Sequence, residues 1–378
     1  MGKRKRIATL LSSYSSATGV TIYLINLIKH FNAFEDASKP ELIVFYSNDS
    51  PIDDVKKIGY PYIEYINSDK RQFILWRIFK RLIRVVFKKE INNYVKADFV
   101  YPALETEKFS LIKTKIFWKE DFQECYLPEN FTKEDISYTE SFFKLLADNP
   151  DYHLVLSSES SRNDLFKFYG NIKNPIHILR FVSLIPELQP EKTPAVLKQY
   201  NIDARYFIVC NQFWPHKNHI TVIEAVAILR QQGYEDFKVV FTGKTSSHRN
   251  KEYFPSLQKR IDELGISKQF IVTGFLQRED QLLMMQNSLA VVQPSLFEGW
   301  STVIEDAKAL NKYVIAADLD VNIEQMTENV SFFGRLNADE LALQMKKVLI
   351  DPPVVKEKDY KQNIQKFRND LADLFQLS

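Results

Sequence analysis

Short apolar runs alternate with helix-like segments along the whole chain, and this alternation constrains the fold more than any other feature. In the first half the runs are "IATLLS", "ELIVFYS", "ADFVYPAL", "KIFWKED", "HLVLSS" and "IHILRFV". In the second half they are "YFIVCNQ", "FKVVFTG", "QFIVTGF", "LAVVQPSL", "YVIAAD" and "VSFFG". Continuously apolar strands separated by helices belong to parallel sheets covered on both faces. Twelve such strands are too many for one compact sheet, and they divide evenly. The expectation is an α/β chain of two doubly wound, Rossmann-like domains, each of about six strands, with ligands at the carboxyl ends of the strands. Three prolines and mixed charges in "SLIPELQPEKTPA" mark the boundary. The expected domains are therefore 1–185 and 190–355, with a last helix within 356–378, after "DPPVV", crossing back to the first domain.

Composition narrows the functional classes. The chain is 378 residues long, 45% hydrophobic and 13% aromatic, so it has the material for large cores. The net charge of +2 argues against a nucleic-acid binder and leaves any basic function local. Two cysteines, Cys125 and Cys210, provide neither a disulfide framework nor a metal cluster. No run approaches the roughly 18 apolar residues of a membrane span. The start, "MGKRKRIATLLSS", is basic and then apolar, but its apolar stretch is too short for a signal core and reads as a first strand. A cytoplasmic location is the expectation, peripheral on the inner face of a membrane if a surface helix docks there.

Three segments carry chemistry. In "SLFEGWSTVIEDAKAL", residues 295–310, a strand ends just before Glu298, and helical spacing follows through Val303, Ile304, Ala307 and Leu310. Gly299 permits close backbone approach, and Ser301 or Thr302 can cap the helix. The helix N-terminus then offers N–H groups and the positive dipole end to an anion. Glu305, about one turn further on, suits two adjacent sugar hydroxyls, as an acidic residue does on a ribose. The plainer reading is a capped helix with solvated acids. In "YFIVCNQFWPHKNHITVIEAVAILRQQG" a strand, a loop and a helix follow one another, and Lys217 just before the helix can meet a phosphate as a point charge. His216 and His219 flank it without a third ligand at suitable spacing, so no metal is expected. In the first domain "SSYSSATGVTIYLINLIKHF" reads as a polar loop with Gly19 leading into a helix, either an anion-holding N-terminus or an ordinary turn.

Taken together these segments resemble glycosyltransferase family 4, the group 1 retaining sugar transferases with the GT-B fold. "SLFEGWSTVIEDAKAL" is similar to that family's donor-site segment, "NQFWPHKN" to its phosphate-binding loop, and "VTGFLQREDQLLMMQNSLAVVQPS" to the stretch between them. "KIFWKEDFQECYLPENF" in the first domain resembles the family less specifically. The resemblance implies that Lys217 offsets donor diphosphate charge and that backbone from Gly299 through Trp300, Ser301 and Thr302 to Val303 holds the same phosphates. It also implies that Glu298 meets hydroxyls of the transferred sugar, Glu305 meets the ribose, and Gly274 and Phe275 lie near the base. Asp121 would orient the acceptor hydroxyl or the sugar; the alternative is a structural loop acid. A helix dipole and a lysine would replace a divalent metal at the leaving diphosphate. The implied activity moves a sugar from a nucleoside diphosphate to a hydroxyl of a glycan or lipid-linked glycan, with retention. It uses no cofactor beyond the nucleotide sugar. A nucleotide-sugar epimerase of the same fold and an inactive glycan- or partner-binding relative are the alternatives.

There are departures. The family's two glutamates usually have seven residues between them, whereas Glu298 and Glu305 have six, 299–304. Gln212 stands where the phosphate loop often has an arginine. "NKYVIAADLD" lacks the usual glycine and proline after the donor helix, and its "DLD", residues 318–320, reads as a strand end, not a metal motif. Finally, "RQFILWRIFKRLIRVVFKK", residues 71–89, places Arg77, Lys80, Arg81, Arg84 and Lys88 on one helical face, opposite apolar residues. It is suited to an anionic membrane surface or to covering the first sheet.

Overall fold

The computed structural model describes residues 3–68, 96–103, 112, 114–245 and 251–377. The chain divides into two compact units, one comprising Met1–Ser157, Arg162–Arg180 and Gln365–Ser378, the other Ser158–Ser161 and Phe181–Ile364. Residues 71–89 lie outside the described residues.

The first unit holds seven parallel strands: β1 (Arg6–Leu11), β2 (Glu41–Tyr46), β3 (Ile63–Asn67), β4 (Phe99–Val100), β5 (Thr114–Lys119), β6 (His153–Leu156) and β7 (Ile176–Ile178). Their order is β3-β2-β1-β4-β5-β6-β7. Six were expected. The additional one, β3, is an edge strand with no fully buried residue and an exposed Glu64. A strand covered on so little of its surface does not need the continuous apolar run used to find the others. The C-terminal helix Lys361–Phe375 packs much of its apolar face here. Phe375 meets Phe31, Phe99 and Tyr101 edge-on at 5.7, 5.5 and 5.7 Å. About two turns earlier, Phe367 lies 4.7 Å from the ring of His30, which is 1% exposed.

The second unit holds six parallel strands: β8 (Tyr206–Val209), β9 (Lys238–Thr242), β10 (Phe270–Gly274), β11 (Val291–Gln293), β12 (Val314–Ala317) and β13 (Val330–Phe333). The order is β10-β9-β8-β11-β12-β13. Successive side chains on a strand point to opposite faces. Phe207, Val209, Val239 and Phe241 accordingly join one core, with Val222, Val226 and Leu229 of helix His219–Gln231 and Met345 of helix Ala338–Ile350. Tyr206, Ile208 and Val240 join the other, with Leu282, Met285, Ile304 and Ala307. Both faces of β8, β9, β11 and β12 are buried, which is why these strands read as nearly unbroken apolar runs. The winding reverses between β8 and β11, so the loops leaving them diverge and open the carboxyl edge of the sheet.

The same unit binds the extended segment ahead of the last helix through two asparagines. Asn311 (φ 51°) and Asn329 (φ 55°) adopt the left-handed conformation. Asn311 gives its amide to the Lys358 carbonyl and accepts the Lys358 N–H, at 3.2 and 2.9 Å. Asn329 does the same with Lys356, both at 2.8 Å.

Candidate functional site

The site is built on the loop after β8. A single 3-10 turn, Pro215–Lys217, ends at Asn218, whose φ of 56° turns the chain into helix His219–Gln231. Asn218 is 2% exposed and donates its amide to the carbonyls of Pro294, at 3.0 Å, and Arg335, at 2.8 Å. Its carbonyl oxygen accepts from Thr221 at 2.9 Å. The His216 carbonyl accepts the Leu296 N–H at 2.7 Å. The loops after β8, β11 and β13 are thereby tied together, and they bring Lys217 and Glu298 into one place. The Lys217 ammonium donates to Glu298 Oε1 at 2.6 Å, with the two side chains 21% and 10% exposed.

Two residues behind this pair hold the carboxylate. Gln293 ends β11, is fully buried, and donates Nε2–H to the same Glu298 oxygen at 2.7 Å and to Ser295 Oγ at 3.2 Å. Its own carbonyl oxygen accepts from Asn211 Nδ2 at 3.0 Å. A polar relay thus runs Asn211–Gln293–Glu298–Lys217. The signal for Gln293 lay in the sequence, as the one amide interrupting the apolar run "LAVVQPS".

Beside this relay begins helix Thr302–Ala309. Ser301 is its N-cap and accepts the Ile304 N–H at 3.3 Å. Gln325 clamps the backbone of Ser301 from both sides, accepting its N–H at 3.0 Å and donating to its carbonyl at 2.8 Å. The N–H groups of Thr302 and Val303 then have no acceptor among the described residues. Two free N–H groups at a fixed helix start are suited to an anion. Gly299 is buried, and Trp300, 8% exposed, turns its ring inward and donates Nε1–H to the Phe181 carbonyl at 3.0 Å.

Glu305, expected to face a ribose, is 1% exposed and already engaged. Its carboxylate accepts from Lys308 at 2.7 Å, from Gln325 at 3.0 Å and from the Tyr360 hydroxyl. The Tyr360 hydroxyl in turn accepts the Ser183 N–H at 2.9 Å. The neighbouring acid, Asp306, is on a different face of the helix. It is 2% exposed and holds Arg278, whose side chain is 46% exposed, together with the Ser183 hydroxyl. Arg278 and Asp306 lie close to Cys210, which follows β8. Asp306 also has seven residues between itself and Glu298, 299–305, the spacing of the family pattern. Sequence reasoning passed over it because Glu305 is a glutamate and Asp306 is not.

The other expected residues fall as follows. Gly274 (φ +73°) ends β10 and accepts the Gly243 N–H at 2.8 Å. Phe275 is 67% exposed, with the Lys244 ammonium 5.7 Å from its ring centre. Gln212 is exposed and accepts from Trp214 Nε1 at 3.0 Å. Gly19, expected in the loop before the first helix, lies inside helix Tyr14–Asn32, so it does not form the helix's N-terminal turn. Asp121, in the first unit, accepts the Gln123 N–H at 3.1 Å, a loop-acid arrangement. His216 and His219 are both pushed down to about 3 by burial and by the charge of Lys217, and so stay neutral. Among the described residues no group of three or more His, Cys, Asp or Glu is placed to hold a metal. Asp318 of the "DLD" segment pairs with Arg335 at 3.7 Å.

Comparison with known proteins accords with this geometry. Residues 194–367 match the family model described as glycosyl transferases group 1. A search of curated proteins gave no match. Among solved structures the chain is similar to sucrose-phosphate synthase from Thermosynechococcus elongatus, at a TM-score of 0.69 and 14% identity, covering 99% of this chain and 98% of that one. It is also similar to Anabaena HepE in complex with UDP and glucose, at 0.67 and 15%, covering 99% and 95%. A glycosyltransferase from Rickettsia africae matches at 0.65 and 15%, again covering 99% and 95%. At these identities the likeness establishes the fold, two Rossmann-like α/β domains of the GT-B kind.

Proposed function

We propose that this chain, whose second unit is a group 1 glycosyl transferase domain, moves a sugar from a nucleoside diphosphate to a hydroxyl of a glycan or lipid-linked glycan, with retention and without a divalent metal. The observation that carries the reading is the convergence of a lysine, a carboxylate 2.6 Å from it and a helix start with two free N–H groups at the carboxyl edge of the second sheet. As the bond to the sugar breaks, negative charge builds on the leaving diphosphate. Lys217 and the N–H groups of Thr302 and Val303 suit that charge and need no reorganisation to meet it. Glu298 is suited to accept from sugar hydroxyls. Asp306 is our choice for the ribose hydroxyls, supported by its spacing from Glu298; both acids are buried and engaged, but the Arg278 that holds Asp306 is 46% exposed and can turn to solvent, whereas the Lys308 that holds Glu305 is 19% exposed. Gly274 and Phe275, on the neighbouring loop, are left for the base. Relatives solved with UDP and with UDP-glucose make uridine nucleotides the first donors to test.

The experiment is a thermal-shift screen of nucleotide sugars followed by calorimetry, since a ligand that binds only the folded state raises its apparent stability. Lys217→Ala should weaken binding of the selected nucleoside diphosphate by roughly tenfold or more, the worth of one charge-assisted hydrogen bond. Asp306→Asn should weaken it too, and Glu305→Gln should lower the melting temperature more than the affinity. Transfer should persist in EDTA. Unchanged affinity in both Lys217→Ala and Asp306→Asn, or activity abolished by EDTA and restored by Mn²⁺, contradicts the reading. Turnover of the nucleotide sugar without any acceptor points to the epimerase.

A further inference from the structure

We propose that Glu298 is an internal counter-ion for Lys217, and that exchange of this partner makes the site select sugar-bearing diphosphates over bare anions. The inference rests on the donor-site reading above and adds to it a source of specificity.

A phosphate-binding lysine left open to solvent attracts any phosphate, including the many that carry no transferable sugar. Here the ammonium is only 21% exposed and is hydrogen-bonded to a carboxylate 10% exposed. A bare anion that takes Lys217 must leave that carboxylate in a half-closed site without its cation. The loss is costly because a charge removed from water needs a partner. Gln293 cannot make it good. Its amide already donates to Glu298 in the closed pair, and its orientation is fixed by Asn211 on the other side, at 3.0 Å. Gln293 and Asn211 are therefore positioning residues that keep the carboxylate turned toward the lysine.

A nucleotide sugar changes the balance. Its diphosphate takes the ammonium, while the hydroxyls of its sugar donate to the carboxylate that the ammonium has released. Both charged groups end with partners. Discrimination then comes from a group that opposes the wrong ligand as well as favouring the right one. No covalent or redox step is involved, only an exchange of hydrogen-bond partners.

The test is calorimetry with UDP, UDP-glucose and inorganic pyrophosphate on the full chain, in low salt. Glu298→Gln keeps the shape and removes the competing charge. It should bind UDP and pyrophosphate more tightly than the native protein, by roughly tenfold, the scale of coupling in close charge pairs. Its preference for UDP-glucose over UDP should shrink at the same time. In the double variant with Lys217→Met the gain should vanish, because the competition is for that lysine. Gln293→Leu should move the UDP to UDP-glucose ratio in the same direction without abolishing binding of either. Unchanged or weaker UDP and pyrophosphate binding in Glu298→Gln overturns the proposal. So does a gain that survives in the double variant, since it would then reflect net charge alone. Failure of the underlying donor-site reading looks different: Lys217→Met alone would leave the affinity for UDP and pyrophosphate unchanged.

Discussion

Replacement of Gly243 by alanine is expected to cost the second unit about 3 kcal/mol or more, from a left-handed strain and an overpacked contact together. Gly243 follows β9 and has φ +132°, a region that residues with a Cβ avoid. A Cβ built there would lie 2.4 Å from the carbonyl oxygen of Asn211 and 2.9 Å from the Cα of Gln212, both backbone atoms that no rotamer change can move aside. The N–H of Gly243 also donates to the Gly274 carbonyl, so the loops after β8, β9 and β10 are held against one another at this point. Strain here would therefore reach Asn211, the far end of the relay behind Glu298. Urea unfolding of Gly243→Ala should show a markedly lower midpoint, and nucleotide affinity should fall with it. A midpoint matching that of the native chain would mean that the close approach relaxes freely. Gly19→Ala, where an added Cβ meets nothing within 4 Å, is the matched control.

The second large effect concerns acid. His30 and His219 are 1% and 0% exposed, and burial lowers each from 6.5 to about 3. Around His30 the charges of Arg368 and Lys29 act in the same direction, and neither ring nitrogen has a hydrogen-bond partner among the described residues. His219 is packed among Phe213, Phe241 and Tyr253. The sign follows from proton binding. Below pH 6.5 the unfolded chain protonates these rings and the folded chain does not, so stability is lost as the pH falls from 6.5 toward 3. Each pH unit corresponds to about 1.4 kcal/mol per ring, so His30 and His219 should each cost their unit about 2 kcal/mol between pH 6.5 and pH 5, and His216, lowered in the same way, adds to the loss in the second unit. Urea titrations at pH 7.5 and pH 5 measure the loss. His30→Leu should reduce the pH dependence of the first unit's stability, and His219→Phe that of the second, where His216 keeps the remainder. Unaltered slopes in both variants would transfer the acid sensitivity to other groups.

The fold was legible because the central strands of the second sheet, β8, β9, β11 and β12, are buried on both faces and read as nearly unbroken apolar runs. The first sheet's edge strand β3 escaped, since an exposed edge needs no such run. The helix carrying Gly19 begins five residues before that glycine, because small polar residues such as those in "YSSAT" do not distinguish a loop from a first helical turn. Lys217 and Glu298, expected at one site from their places before and after turns, lie 2.6 Å apart. Glu305 and Asp306 were harder. Adjacent helical residues are about 100° apart, and what each acid meets depends on partners far away in sequence, Arg278 for Asp306 and Tyr360 for Glu305. Gln293 and Gln325 were passed over for a similar reason. An amide's worth lies in what it spans, and that appears only once β11 is beside β8, and Gln325 beside Ser301.

The two asparagine clasps on the segment before the last helix bear on how this sequence should be edited. Anyone deriving a consensus from relatives would place glycine at position 311, where the family pattern has one, and would expect a gain because glycine adopts the left-handed conformation most easily. Asparagine does a second job there. Its amide mimics the edge of a strand, giving and taking one hydrogen bond each with Lys358, and Asn329 repeats the pattern two residues away on Lys356. A glycine keeps the turn and releases the tail. Asparagines in this conformation are therefore positions where averaging over relatives removes information, and they are best held fixed when the protein is stabilised by design.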